Sequence, residues 1–485
     1  MALKVYNTLS GTKQDFKTVE PGKVKMYVCG PTVYGFLHIG NFRGPIFFNL
    51  VKNWLVESGY DVTYVYNYTD VDDKIIAKAI DEGVESTVIS ERYIQEFEKD
   101  FANLQLDKHD HNPKVTEHIG SIIKIVEDLV ARDAAYIVDG EVFYAIDSFK
   151  DYGALSKKNL DELEAGNRVE VDGRKKNPHD FVLWKPAKEG EPYWESPWGN
   201  GRPGWHIECS AMIKSILGDT IDIHGGGIDL IFPHHENEIA QGEGCCDQKY
   251  CNFWMHNNFI IMNDEKMSKS LGNIITGRAF MEEYDAEILK YLFLSAHYRS
   301  MLNVSEEKIE QTISALDRIY NALSIADSTI TEVEETGAAD GGFVKLLAES
   351  DKKIKAALDD DFNTSAFIAQ VFEVVRSFNA LEDKPKKKKA HNKGTSVAFK
   401  EWMAKYSKVS SLFNQDPTAF LKKLDEILIR KKNIDVEKVD ALLVERSAAR
   451  DDKNWTRSDE IRDELAVMGV EIRDGAGETS WTMKK

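Results

Sequence analysis

Apolar and polar positions alternate along the N-terminal part of the chain in a pattern that predicts strands followed by helices. The segment 26–44 begins with an apolar, β-favouring run that Gly30 interrupts, and an apolar helical run follows. A second strand-like run covers residues 61–68, and helical periodicity resumes after an aspartate-rich turn at residues 69–74. A strand, a sharp turn and a helix that opens on a glycine are typical of the first unit of a nucleotide-binding sheet. The pattern therefore predicts an α/β fold with a Rossmann-like parallel sheet.

The pattern changes twice further along the chain. After about residue 113 a single helix is followed by short strands and a polar, Trp-rich segment, which we interpret as an insertion that splits the α/β domain. Beyond Glu306 amphipathic helical periodicity dominates, and the last residues combine two helices with a strand. We predict a Rossmann-like domain in two halves (1–112 and 201–260), the insertion (113–200), a connecting region (261–305), a helical bundle (306–435) and a small C-terminal α/β module (436–485).

Composition and charge narrow the class of protein. The chain has 485 residues, a net charge of −19 and 42% hydrophobic residues, and no apolar run approaches the roughly 20 residues that a membrane-spanning helix needs. The N-terminal residues lack the apolar core of a secretory signal, so we expect a cytoplasmic protein with no membrane partner. Five cysteines are too few for a disulfide scaffold and fit reduced thiols. The negative charge argues against non-specific coating of nucleic acid and leaves a specific partner open.

The first group of candidate functional residues combines the motif at residues 38–41 with the motif at residues 266–270. His38 and a helix N-terminus can meet the phosphates of ATP, while Gly40 lets a base approach the backbone. Lys266 and Lys269 can neutralise charge on a leaving pyrophosphate. Either motif alone is weak evidence for ATP binding, because a histidine shortly before a glycine and a lysine–serine loop are both common. Their order in one α/β chain predicts ATP chemistry.

The second group consists of thiol, imidazole and carboxylate side chains. Cys29 follows a predicted strand, and Cys209 lies in the other half of the same sheet domain. His234 and Glu238 are four residues apart, so they share one face of a helix. Such donors suit Zn²⁺, and from spacing alone ordinary buried thiols with a satisfied histidine are an equal alternative.

Two further patterns are ambiguous from the residues alone. The run Gly225-Gly226-Gly227 predicts a loop that lets a ligand approach the backbone, and Asp229 can bind ribose hydroxyls, although a simple tight turn would look the same. The tail places basic side chains beside Trp455. These side chains could bind phosphates while Trp455 stacks on a base, or the tail could form a solvated helical hairpin. The run at residues 384–389 is most simply a solvated loop, with RNA contact as the alternative. The basic residues of the tail are Arg446, Arg450, Lys453, Arg457 and Arg462.

The two motifs resemble the signatures of class I aminoacyl-tRNA synthetases, a His-Ile-Gly-His-type turn and a Lys-Met-Ser-Lys-Ser loop. The second match is complete, whereas Asn41 replaces the last histidine of the first. The segments CGPTVYG, NYTDVDDKI, GWHIECSAM and HGGGIDLIFPHHENEIAQ resemble the cysteinyl-tRNA synthetase family in particular. That resemblance covers nearly the whole chain.

The resemblance implies a ligase that forms cysteinyl-adenylate from L-cysteine and Mg·ATP and then charges tRNA(Cys). It implies a tRNA stem-contact region at residues 261–305, an anticodon-side bundle and a tRNA-binding C-terminal module. A zinc–sulfur bond would distinguish cysteine from serine, because a hydroxyl is not readily deprotonated beside the metal. We expect a monomer. The implied residues are His38, Lys266 and Lys269 for catalysis; Gly40, Asn41, Gly227, Asp229, Ser268 and Lys269 for ATP; Cys29, Gly30, Thr69 and Trp205 for cysteine; and Cys29, Cys209, His234 and Glu238 for one zinc.

Several alternatives stay open. His224 and His235 are further candidate ligands, and Cys245, Cys246 and Cys251 are interpreted as structural. Without the resemblance, Trp205 is more simply a core residue. The nearest rival function is an ATP-dependent ligase that joins cysteine to a small amine, although the long helical region after Glu306 argues against it. A non-catalytic RNA-binding zinc protein is the rival of another class, and His38 with the 266–270 motif argues against that.

Overall fold

The computed structural model describes residues 2–158, 172–266, 274–382, 389–474 and 479–485. The first part of the chain forms an antiparallel hairpin, followed by strands and helices in alternation. Strand β3 has buried residues on both faces: Met26 and Val28 face one core and Tyr27 the other. Such double burial is typical of a parallel strand covered on both sides. The elements are β1 (Lys4–Asn7), β2 (Thr12–Asp15), β3 (Lys23–Val28), a 3-10 turn (Ile39–Phe42), α1 (Arg43–Glu57), β4 (Asp61–Tyr66), α2 (Asp73–Glu82) and α3 (Ser86–Asn103).

The next described segment forms a separate antiparallel sheet beside one helix. Its strands pair in chain order, and Trp184 and Tyr144 are fully buried within it. Buried Arg202 pairs with Asp73 at the start of α2 and with Glu191, which ties this sheet to the first half of the chain. The elements are α4 (Ile119–Ala131), β5 (Ala135–Val138), β6 (Glu141–Tyr144), β7 (Phe181–Pro186) and β8 (Gly201–Pro203).

The α/β pattern then returns and completes a four-stranded parallel sheet. Strand β9 pairs with β3 and β10 pairs with β9, so that the sheet has the order β10-β9-β3-β4. This arrangement confirms the predicted fold class. The elements are α5 (Trp205–Ile216), β9 (Ile221–Gly227), a π-helical turn (Ile231–His235), α6 (Glu236–Cys246) and β10 (Cys251–Asn257).

The predicted glycine loop is wrong, because strand β9 runs through Gly227 and pairs with β10 as far as Asn257. The glycines are needed for packing and not for a turn. A Cβ on Gly225 would lie 2.3 Å from the Phe48 ring, and one on Gly226 would lie 2.9 Å from His235. The helix predicted to carry both His234 and Glu238 starts at Glu236, so His234 lies in the π-helical turn that precedes it.

The rest of the chain is mainly helical, as predicted, and it shares one apolar core with a face of the sheet. None of the helices among the described residues combines the length and apolarity that crossing a membrane requires. Most of the basic run at residues 384–389 lies outside the described residues. The elements are β11 (Ile260–Met262), β12 (Glu265–Lys266), α7 (Gly277–Glu283), α8 (Ala286–Leu294), β13 (Leu302–Val304), α9 (Glu306–Glu332), α10 (Gly341–Leu358), α11 (Thr364–Glu382), α12 (Lys389–Ser410), α13 (Pro417–Lys432), α14 (Val436–Asp451), α15 (Trp455–Val467), β14 (Val470–Asp474) and β15 (Thr479–Met483).

Candidate functional site

Four side chains from distant parts of the chain meet at the carboxyl end of the central sheet. Cys29 follows β3, Cys209 lies on α5, His234 lies in the π-helical turn and Glu238 lies on α6. Cys29 Sγ is 3.7 Å from Cys209 Sγ, 3.6 Å from His234 Nε2 and 3.7 Å from Glu238 Oε1. His234 Nε2 is 3.6 Å from Cys209 Sγ and 3.1 Å from Glu238 Oε1. The structure thus brings together the whole predicted zinc tetrad.

The spacing of these donor atoms fits a tetrahedral zinc ion. With metal–sulfur and metal–nitrogen distances of about 2.3 and 2.0 Å, neighbouring donor atoms of a tetrahedron lie about 3.3–3.8 Å apart. The five distances given above agree with that range to within about 0.2 Å. Two thiols, an imidazole and a carboxylate are also a donor set that zinc prefers. The residues present therefore fit the metal.

The protonation of the tetrad also favours a cation. The hydrogen bond from Cys29 lowers the pKa of Cys209 to about 6, whereas burial raises the pKa of Cys29 well above its usual value. The pair therefore holds one thiolate at neutral pH. Burial opposes ionisation of Glu238, but the His224 and His234 imidazoles nevertheless lower the pKa of that carboxyl group. A thiolate and a carboxylate enclosed together need a positive partner. Burial opposes protonation of His234, but Glu238 and Cys209 nevertheless raise its pKa, so the positive charge can come from this imidazole or from a metal ion in its place.

The second oxygen of Glu238 is held by neighbours outside the tetrad. His224 Nε2 lies 2.8 Å and the Tyr250 hydroxyl 2.9 Å from Oε2. Cys29, His224, His235 and Glu238 also bring donor atoms within 4.8 Å of one another. However, this group shares Cys29 and Glu238 with the tetrad, and His235 Nδ1 is bonded to His256 Nε2 at 2.8 Å. We interpret His224 and His235 as neighbours that orient the tetrad.

The residues predicted to bind cysteine surround the tetrad. Trp205 stacks on the His234 imidazole with ring centroids 4.5 Å apart and is 42% exposed, so the alternative that it is a core residue is wrong. Buried Thr69 donates to Glu208 Oε2 at 3.3 Å. Gly30 passes so close to the next strand that a Cβ would lie 1.7 Å from the Asn67 carbonyl oxygen. Trp205 thus contacts the tetrad directly, Gly30 follows Cys29 in the chain, and Thr69 is linked through Glu208 to the residue next to Cys209.

The predicted phosphate turn lies in the connection between β3 and α1. The side chain of Asn41 accepts a hydrogen bond from the His38 backbone N–H at 3.0 Å, so the residue that replaces the motif's last histidine caps the 3-10 turn. Burial lowers the pKa of His38, although Asp229 opposes this, and the imidazole is therefore neutral at pH 7. His38 Nδ1 is buried and has no hydrogen-bond partner among the described residues. Gly40 lies within the turn.

The residues that follow the lysine–serine motif return to this turn. The Ile39 N–H donates to the Ile275 carbonyl at 3.0 Å, and the Gly277 N–H donates to the Leu37 carbonyl at 2.8 Å. His38 and Thr276 pair as an antiparallel bridge. Ser268 and Lys269 lie outside the described residues, and only the backbone of Lys266 is described, at the end of β12. The described backbone that follows the motif, at residues 275–277, thus lies beside His38.

The predicted ribose contacts lie at the end of β9. Asp229 is exposed in a short 3-10 turn, and its carboxylate lies 2.3 Å from where a Gly227 Cβ would be. A side chain at Gly227 would therefore displace Asp229. This arrangement leaves the carboxylate accessible beside the phosphate turn.

The C-terminal module differs from the predicted basic surface. Arg446 and Arg450 both pair with Asp474, and Arg446 is only 5% exposed. Arg457 pairs with Glu445 and Glu460, and Arg462 pairs with Asp459. Trp455 remains 59% exposed beside Lys453. Of the two alternatives left open by the sequence, these ion pairs favour the helical hairpin, because Asp474 already occupies the guanidinium group of Arg446.

Sequence reasoning missed Glu208, Tyr250 and Glu236. Glu208 precedes Cys209 and is buried, and burial raises its pKa well above the usual value. Tyr250 reaches Glu238 because Gly242 leaves room for its ring, since a Cβ there would lie 2.2 Å from the ring. Gly242 was the one residue of the sequence that could have indicated this contact. No local pattern marks Glu236.

The cysteines outside the tetrad have other partners. Cys245 and Cys246 both donate to the Gly242 carbonyl, at 3.2 and 3.1 Å, and Cys251 donates to the Phe253 carbonyl at 3.3 Å. They belong to no group of candidate ligands among the described residues. Their contacts agree with the structural interpretation.

Known proteins resemble this chain over its whole length. Residues 15–314 match the family described as "tRNA synthetases class I (C) catalytic domain", residues 353–413 match the DALR domain, and residues 436–481 match the "Cysteinyl-tRNA ligase anticodon binding domain". The chain is 52% identical to a cysteine–tRNA ligase of Bdellovibrio bacteriovorus and 48% identical to one of Geobacter sulfurreducens, with all of each chain covered. Its fold is similar to that of Mycobacterium tuberculosis methionyl-tRNA synthetase in complex with methionyl-adenylate, with a TM-score of 0.62 and 15% identity over 83% of this chain and 93% of that one.

Proposed function

Because the chain belongs to the cysteine–tRNA ligase family, we propose that it activates L-cysteine with Mg·ATP and transfers the cysteinyl group to the 3′-terminal ribose of tRNA(Cys). The observation that carries this proposal is the meeting of Cys29, Cys209, His234 and Glu238 beside the phosphate turn. Cys29 and the turn both follow strand β3, so a metal site that can bind a thiol would share the carboxyl edge of the sheet with a site that can hold ATP.

Cysteine is selected at the tetrad. Cys29, Cys209, His234 and Glu238 would hold one zinc ion, which when bound supplies a soft Lewis acid that prefers a thiolate to a hydroxyl group. Trp205 closes one side of the pocket by its stacking on His234. Gly30 and Thr69 line the pocket where the rest of the amino acid lies. Serine has nearly the same shape as cysteine, so a pocket without a metal would separate the two poorly.

Activation takes place between the phosphate turn and the end of β9. The cysteine α-carboxylate attacks the α-phosphate of ATP, and pyrophosphate leaves. Neutral His38 and the backbone N–H groups of the turn with Gly40 and Asn41 bind the phosphates, while Gly227 and Asp229 bind the ribose. Lys266 and Lys269 neutralise the charge that develops on pyrophosphate, and Ser268 helps to bind ATP.

Transfer needs no protein nucleophile. The 2′-hydroxyl of the terminal tRNA ribose attacks the adenylate carbonyl and releases AMP. The protein contributes by holding the reactants in line. The helical region and the C-terminal module support the tRNA at a distance from the chemistry. The monomeric state and the cytoplasmic location stay predictions.

The test is cysteine-dependent exchange of pyrophosphate into ATP by the purified chain, followed by charging of tRNA(Cys). We expect exchange with cysteine and almost none with serine, and charging that requires tRNA. Exchange without charging would favour the rival ligase with a small amine acceptor. Absence of exchange with a folded, zinc-loaded protein would overturn the proposal.

A further inference from the structure

A buried carboxylate next to the tetrad has no role in the reaction described above. Glu236 is the first residue of α6 and has no exposed surface. It lies two residues after His234 and two residues before Glu238. No cation pairs with it among the described residues. A buried carboxylate is costly unless its oxygens are hydrogen-bonded, so its partners show what it holds.

The partners of Glu236 are three backbone N–H groups of one turn in the inserted segment. Gly153 and Leu155 donate to Oε1 at 3.0 and 3.3 Å, and Ser156 donates to Oε2 at 2.8 Å. Gly153 has a φ of +95°, which favours glycine, and a Cβ there would lie 2.4 Å from the Lys158 carbonyl oxygen. The turn is thus shaped so that its amides converge on one carboxylate.

Neighbouring contacts join the same two segments. The Tyr152 hydroxyl donates to Asn237 Oδ1 at 2.5 Å, and Lys158 Nζ lies 4.1 Å from the centroid of the Phe232 ring. The π-helical turn that carries His234 is irregular, because Phe232 within it has extended backbone angles. Phe232 therefore interrupts the regular helical geometry of that turn, and tertiary contacts contribute to the placement of His234.

We propose that Glu236 is a positioning residue: by binding the turn at residues 153–156 it holds His234 and Glu238 in register with Cys29 and Cys209. This inference rests on the zinc site of the proposed function. It makes metal affinity, and therefore the selection of cysteine, depend on docking of the inserted segment. The coupling is reciprocal, so zinc binding also stabilises the docked turn.

The substitution Glu236→Gln tests the role with little change in shape. A glutamine offers one acceptor oxygen and one NH₂ donor, so at least one backbone N–H would face another donor and lose its bond. Asp222→Asn is the matched control. Asp222 is also buried and accepts two backbone N–H groups, from Val19 and Lys25 at 2.6 and 2.8 Å, but it lies at the amino end of β9.

The zinc dissociation constant, measured by competition with a chelator, is the first readout. We expect it to rise by about 10–100-fold in Glu236→Gln, as for other partners of metal ligands, and to stay unchanged in Asp222→Asn. The cysteine KM of Glu236→Gln should rise and return towards the wild-type value at excess zinc. A purely structural role would lower the unfolding temperature of both variants and leave zinc affinity alone.

Hydrogen exchange of the unmutated protein gives a second readout that needs no variant. We expect removal of zinc to speed exchange of the Gly153, Leu155 and Ser156 amides. If Glu236→Gln does not fold, Tyr152→Phe should raise the zinc dissociation constant in the same direction. The role of Glu236 would be overturned if zinc affinity were unchanged in these variants, or if removal of zinc did not change hydrogen exchange of the three amides. Either result would leave the zinc site intact. An unmutated protein that binds no zinc would overturn the zinc site as well.

Discussion

At the scale of single residues, the two thiols of the tetrad are not equivalent. Cys209 is the more acidic, with a pKa lowered to about 6, and it lies on a helix, whereas Cys29 follows a strand. Each would supply one sulfur ligand to a bound zinc ion. Loss of either would remove a sulfur donor, the ligand type that favours zinc over harder metals, and leave three protein donors.

Cys209→Ala should therefore lose most of the bound zinc. The matched control is Cys251→Ala, because Cys251 is equally buried but donates to a backbone carbonyl outside the tetrad. Metal analysis of the purified proteins should find zinc near one ion per chain in the unmutated protein and in the control. Full zinc retention by Cys209→Ala would remove this residue from the site.

His109 provides a test of stability against pH away from the metal. Burial lowers its pKa to about 4, and its ring stacks on Tyr66. In the unfolded chain a histidine has a pKa of about 6.5. Between these two values the unfolded chain binds a proton that the folded chain does not. The contribution of His109 to the free energy of unfolding is therefore present above about pH 6.5 and is lost as the pH falls towards 4.

We expect His109→Phe to reduce the loss of stability on acidification. The phenylalanine keeps an aromatic ring against Tyr66 and has no proton to bind. Between about pH 6.5 and 4 the slope of the free energy of unfolding should decrease by up to ~1.4 kcal/mol per pH unit. Urea unfolding at several pH values measures it. Equal slopes for both proteins would show that His109 titrates normally in the folded state.

At the scale of elements, β9 and α1 meet without room for a side chain. Gly225 lies against the fully buried ring of Phe48 on α1, and β9 and β3 together carry residues of the site at their carboxyl ends. A side chain at this contact would push α1 away from the sheet. The phosphate turn immediately before α1 would move with it.

Gly225→Ala should therefore destabilise the protein by ~1–3 kcal/mol, as overpacking does elsewhere, and slow the cysteine-dependent exchange reaction. Gly120→Ala in α4 is the matched control, since a Cβ there meets no atom within 4 Å. An alanine in that helix should leave stability unchanged or raised. Urea unfolding and the exchange rate measure both effects, and similar results for the two variants would contradict the packing argument.

At the scale of the whole molecule, the C-terminal module is attached to the helical bundle by its last residues. Lys485 is 5% exposed on its side chain and pairs with Asp317 of α9 and Asp425 of α13, while Thr482 also bonds to Asp425. Met483 is buried in the common core. Deleting residues 436–485 would therefore expose apolar surface of the bundle, and a single substitution on the module's surface tests its function more cleanly.

Trp455→Ala should weaken tRNA binding without changing amino-acid activation. An exposed aromatic ring that stacks on an unpaired base contributes ~1–3 kcal/mol, so the tRNA KM should rise accordingly. Cysteine-dependent pyrophosphate exchange, which needs no tRNA, should stay at its original rate. Charging assays over a range of tRNA concentrations measure the first effect. An unchanged tRNA KM would exclude stacking by Trp455.

The sequence by itself determined the parallel sheet, the helical second half and the chemistry of the site. Burial follows the period of apolar residues, so β3, β4 and the long helices lie close to where that pattern placed them. The motif residues predicted the functional groups because thiols, imidazoles and glycines have distinctive chemistry. Cys29 and Cys209 were grouped as candidate ligands although 180 positions separate them, but from spacing alone two ordinary buried thiols were an equal alternative.

The tertiary structure decided which group each of these residues faces. The glycine run that was predicted to be a loop is part of strand β9, where Phe48 and His235 fill the space beside Gly225 and Gly226. The tertiary structure also paired Arg446 with Asp474, and it gave Glu236 the amides of a distant turn. The physical reason is that the local period of apolar residues encodes which face of a helix or strand is buried. The partner of a buried polar group, in contrast, depends on segments that are distant in sequence and come into contact only in the folded protein.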